Sequence, residues 1–139
     1  MSTPLSIRFD PTLLDRLRRS AAGRETTPSG LAQRLVDEGL RSQDHPGIVF
    51  RDGPSGRRAG LAAGPDVWEV VAALAETEQR GDAAVEIIAA ELSLPVNRVR
   101  TALAYYGAFP EEIDAEVEEN ERAATEALSA WETQQRLLA

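Results

Sequence analysis

Leu5-Ser6-Ile7-Arg8-Phe9-Asp10-Pro11 decides how the front of this chain is read. Residues 5–9 alternate apolar and polar, so Leu5, Ile7 and Phe9 share one face of a strand while Pro4, Ser6 and Arg8 share the other. Asp10 supplies a capping oxygen and Pro11 suits a first helical position, so a helix starts where the alternation stops. Leu13, Leu14, Leu17 and Ala21 form its apolar stripe, and Gly23 is placed to end it. Thr27-Pro28-Ser29 opens a second helix, expected to run to about Ser42, with Leu31, Leu35, Val36 and Leu40 as its buried stripe. One strand followed by two helices cannot pair its own edge or close a core. The pattern therefore predicts a homodimer in which the strands of two copies form an antiparallel ribbon, a shape that fits the major groove of DNA.

The 139 residues allow one ordinary domain or a few very small ones. The formal net charge of −8 is unevenly spread. Residues 1–43 carry seven Arg against five acids, residues 44–110 six against nine, and residues 111–139 two against nine. A mildly basic front thus precedes an acidic tail. Every basic residue is Arg, which the Ala-rich composition explains as GC-rich coding rather than as a nucleic-acid signature. Cysteine is absent and His45 is the single histidine, which removes disulfides, thiolate metal sites and conventional histidine chemistry. No cofactor, metal or catalytic residue is expected. No apolar run approaches the roughly 18 residues of a membrane span, and no signal peptide is read at the front, so the expectation is a cytoplasmic protein without a membrane partner.

Residues 43–64 change texture. Gln43-Asp44-His45-Pro46-Gly47 reads as a linker, and Ile48-Val49-Phe50 followed by Asp52-Gly53-Pro54-Ser55-Gly56 reads as a small hairpin. Arg51, Arg57 and Arg58 there are either a basic wing for phosphate or an exposed hairpin tip. His45 is expected to be a turn residue rather than a ligand. Three helical segments follow: Val67, Val70, Val71 and Leu74 mark the first, Val85, Ile88, Ala89 and Leu92 the second, and Val96, Val99, Leu103 and Tyr106 the third. The second and third, joined by Ser93-Leu94-Pro95, have helix-turn-helix spacing. Asn97, Arg98 and Arg100 would be its DNA contacts; a purely structural use of the same arrangement is the bland alternative. From Glu111 onward one long helix is expected, with Ile113, Val117, Ala124, Leu128 and Trp131 as a narrow apolar seam on an acidic rod. The fold class expected is mainly α, in three parts: 1–43, 44–109 and 110–139.

Strand, capped helix, turn and capped helix over residues 3–42 resemble the ribbon-helix-helix DNA-binding fold of bacterial repressors and antitoxins. The resemblance rests on Leu5 to Pro11 and on Thr27-Pro28-Ser29. It implies that Pro4, Ser6 and Arg8 face bases, with Pro4 departing from the polar residue usual there, and that Thr27, Pro28 and Ser29 hold a phosphate. A helix start suits an anion on physical grounds as well. Taken singly, Arg8 reads as a solvated edge residue and Thr27 as a helix cap; the strand alternation and the basic front together turn both toward DNA. Residues 45–120, from His45-Pro46-Gly47-Ile48 through Ala102-Leu103-Ala104-Tyr105-Tyr106 to Pro110-Glu111-Glu112-Ile113, resemble a small winged-helix-like domain of VapB-type antitoxins, the partners of PIN-like ribonuclease toxins. They depart from it where Arg58-Ala59-Gly60-Leu61 replaces a common Gly-Thr-Arg-Ile.

These resemblances imply a type II antitoxin that binds operator DNA as a dimeric autorepressor and neutralises a ribonuclease toxin through its C-terminal half. The tail anchors are then Leu128 and Trp131, with Arg122 or Arg136 meeting the acidic metal-binding centre of the toxin, and the acidic helix competes for its positive RNA-binding surface. The bland alternative is that the tail packs on its own domain or on the dimer mate. The competing function is a stand-alone ribbon-helix-helix regulator whose second domain senses a ligand or another protein. An enzyme is third, since the tail carboxylates have neither a partner base nor metal-ligand spacing.

Overall fold

The computed structural model describes residues 2–139 and is mainly helical with one small antiparallel sheet. The chain divides into two compact units, 1–41 and 42–139, and the division falls within the last turn of a helix.

The first unit contains α1 (Pro11–Gly23) and most of α2 (Pro28–Asp44). Asp10 caps α1 as its sequence demands, its carboxylate accepting from the backbone N–H of Thr12 at 3.1 Å and of Leu13 at 3.3 Å. Gly23 is the last residue of the helix, as expected. The chain reverses at Glu25, which takes φ of +54°, while the Thr26 N–H closes back on the Ala21 carbonyl. Thr27 Oγ1 then accepts from Gly30 N–H at 3.0 Å and opens α2. Ala21 and Leu31 are buried. The remaining expected stripe is not: Leu35 is 48% exposed, and Val36 and Leu40 are each 56% exposed. Two helices offer too little facing surface to cover a stripe of that length. Residues 2–10 lie in no helix or strand of the single chain and are exposed throughout.

The second unit begins with the last turn of α2, which extends through Gln43 and Asp44 and so absorbs part of the expected linker. β1 (Ile48–Gly53) and β2 (Gly56–Leu61) form the expected hairpin, in register from Ile48 against Leu61 to Gly53 against Gly56. Gly56 takes φ of +119°, which lets the chain reverse after Pro54 and Ser55. The helices α3 (Val67–Glu76), α4 (Gly81–Glu91), α5 (Val96–Ala108) and α6 (Pro110–Leu138) follow. Ile48, Leu61, Val67, Val70, Val85, Val99, Tyr105 and Ile113 are buried together, so hairpin and all four helices share one core. Tyr105 is its centre, stacking near Phe109 at 4.7 Å between ring centroids and meeting His45 edge-on at 5.4 Å. Among the described residues no helix is long and apolar enough to cross a membrane.

Candidate interaction surfaces

The N-terminal candidates sit on an exposed surface. Pro4, Ser6 and Arg8 are exposed, and so are Leu5, Ile7 and Phe9 on the alternate positions, with Leu5 at 82%. Exposure of both faces means that the alternation separates nothing within one chain. At the start of α2, Thr27, Pro28 and Ser29 are exposed too. Pro28 has no N–H and the Gly30 N–H is taken by Thr27, while Leu31 N–H donates to the Thr27 carbonyl. Ser29, exposed in the first turn, lies at the positive end of the helix dipole, where first-turn amides have no partner within the helix.

The arginines of the hairpin are each held by partners within the unit, and Arg58 is buried. Arg51 grips Asp66 through Nε at 3.0 Å and Nη2 at 2.9 Å, and donates to the carbonyls of Leu61 at 3.2 Å and Gly64 at 2.7 Å. A Cβ at position 60 would collide with that guanidinium, which is why Gly60 stands beside it. Asp66 also accepts from the Trp68 indole at 3.2 Å, so one carboxylate ties hairpin to α3. Arg58 is buried, lies 5.7 Å over the Trp68 ring and reaches Glu119 at 3.4 Å. Arg57 pairs across the hairpin with Asp52. What remains at the tip is Pro54 and Ser55.

Of the helix-turn-helix arginines, Arg98 is half-buried and Arg100 is exposed. Arg98 donates to the Ala62 carbonyl, and Arg100 pairs with Asp82 at 2.7 Å. Asn97 is exposed, with its carbonyl accepting from the Thr101 hydroxyl. Beside them an open groove of about 560 Å³ runs between α3, α4 and α5, lined by Leu74, Val85 and Leu103 and rimmed by Arg80, Asp82 and Arg100.

The tail divides in two. Ile113 is buried and Val117 half-buried against α3 and α5, whereas every residue from Glu121 to Ala139 is exposed. Leu128 and Trp131 are each 56% exposed, and Leu138 continues their face. The acids are concentrated at the packed end, six of the nine lying in residues 111–119, so the free half carries Glu121, Glu126 and Glu132 against Arg122 and Arg136. It is nearly neutral, contrary to the acidic rod expected. At 100° per residue Arg122 lies about 180° and Arg136 about 140° round the helix from Trp131. The four tail candidates therefore do not share one face: Leu128 and Trp131 do, and the arginines look away from it. Arg136 turns to the Thr133 hydroxyl at 3.1 Å.

No protein-family model, curated protein or solved structure matches this chain.

Proposed function

We propose that the chain is a dimeric DNA-binding antitoxin of the ribbon-helix-helix type, with a winged-helix-like second unit and a tail that engages a toxin. The observation that carries this proposal is the uncovered apolar surface of the first unit. Leu5, Ile7, Phe9, Leu13, Leu35, Val36 and Leu40 all remain exposed although they recur at strand and helix periods. Seven large apolar side chains in forty residues are too many for a finished surface, and a second copy offers both the missing strand edge and the missing core. The ribbon would turn Ser6 and Arg8 outward, beside a mildly basic front and the exposed helix start at Ser29, which suits groove and phosphate contact. The second half of the proposal rests on α6, whose Leu128–Trp131 face extends beyond the domain that covers Ile113. A PIN-like ribonuclease presenting an apolar groove is the partner that the reading assigns to it.

The alternative, a stand-alone regulator with a sensing domain, is favoured by the groove between α3, α4 and α5, which has the size of a small-molecule site. One experiment separates them. The purified chain is titrated onto the DNA upstream of its own coding sequence, with and without the product of the neighbouring gene. Binding by a dimer, together with a stable complex with a co-encoded nuclease, is the outcome expected. DNA binding without such a partner would favour the regulator, and no preference for that DNA would remove both.

A further inference from the structure

At the root of α6 one carboxyl group is placed where its charge is not provided for. Glu116 is half-buried, and its Oε2 is sealed from solvent with no hydrogen-bond partner. The groups around it come from α6 itself, α3, β2 and α5. On its own helix Glu112 and Glu119 are nearby and repel it; from the start of α3 Asp66 repels it; from β2 Arg58 attracts it. From α5 Tyr105 donates its hydroxyl to Glu112 at 2.7 Å rather than to Glu116. Among the described residues the cation that attracts it is shared, since Arg58 already reaches Glu119 and lies over Trp68. Asp66 is likewise held by Arg51. Burial first, and then its acidic neighbours against the pull of Arg58, push the Glu116 carboxyl up to about 7.

We propose that Glu116 is a proton-operated latch: with a proton it lets the root of α6 lie closed on the hairpin and α3, and without one it loosens that contact. A proton relieves two costs, the sealed anion and its repulsion from Glu112, Glu119 and Asp66. The folded group holds its proton to higher pH than the same group in water, so docking is at full strength below about pH 4.5 and weakens as pH rises through about 7. The free half of α6 begins one turn further on, so the latch governs how firmly that half is presented, whatever partner it has. This inference uses contacts within the second unit alone and does not depend on the proposed function.

The test compares the full chain with Glu116→Gln, which mimics the protonated group, and with Glu118→Gln, an exposed neighbour, by hydrogen exchange across residues 112–120 between pH 5 and 8.5. Rates are corrected for intrinsic exchange. Protection in the parent chain should fall about tenfold or more relative to Glu116→Gln between the two ends of that range, while Glu118→Gln follows the parent. Parallel profiles for the parent and Glu116→Gln, or equal rescue by Glu118→Gln, would overturn the latch. A carbon-13 titration of the Glu116 carboxyl in the unmodified chain decides independently of whether the variant folds. A midpoint near 7 supports the latch, and one near 4.5 overturns it.

Discussion

Trp131→Ala is the substitution that separates a partner-binding tail from an idle one. The indole is 56% exposed and sits where α6 touches nothing else in its unit. A tryptophan side chain buries up to about 250 Å², so roughly 140 Å² remains for a partner to cover. At about 25 cal/mol per Å² this is worth about 3.5 kcal/mol at most. Alanine keeps a little of that area and a real groove covers less than all of it, which brings the expected loss to about 2 kcal/mol, or about 30-fold in affinity. Folding stability should change by less than about 0.5 kcal/mol, because the exposed ring supports no core. The assay is the ribonuclease activity of the co-encoded toxin titrated with parent and variant, with urea denaturation run on both. Equal inhibition by two equally stable proteins would refute the anchor role.

Arg122→Ala, on the opposite face, should leave the same titration unchanged within about twofold; a loss as large as that of Trp131→Ala would mean that the partner wraps the whole helix. Removing residues 121–139 should abolish inhibition while leaving DNA affinity intact, as a gel-shift titration of the truncated chain can establish. Arg8→Ala should cost roughly 1–3 kcal/mol on specific DNA and relax sequence preference, whereas replacing Ser29 by Pro, which removes its amide, should weaken specific and non-specific DNA alike. Tyr105→Phe should destabilise the second unit by about 1–2 kcal/mol in urea, because the buried ring remains but the hydrogen bond from its hydroxyl to Glu112 is removed.

Local chemistry was legible in the sequence. Asp10 and Pro11 announced α1, the Gly-Pro-Ser run announced the hairpin turn, and a Gly-free and Pro-free stretch announced the continuous α6. Periodicity showed which side chains share a face, but not whether anything covers it: Leu31 is buried and Leu35, one turn later in the same stripe, is not. Charge was the least legible property. Arg51 finds Asp66 fifteen residues away and Arg58 finds Glu119 sixty-one residues away, distances over which composition carries no pairing information. The tail misled for a related reason, since a segment total of acids hides that most of them sit at the packed root. Helical geometry alone places Arg122 and Arg136 away from the Leu128–Trp131 face. The unsatisfied Glu116 left no mark in the sequence, being one carboxylate among many.

The central claim is that two copies complete each other through the first unit, and mass in solution tests it most directly. Residues 121–139 are exposed and can be removed without opening the core, which also removes any association through the tail. Sedimentation equilibrium of that shortened chain at micromolar concentration should give twice the monomer mass, and Ile7→Asp in the same background should return it to the monomer mass. A shortened chain that is folded and monomeric would contradict the account, as would a dimer that Ile7→Asp does not disturb.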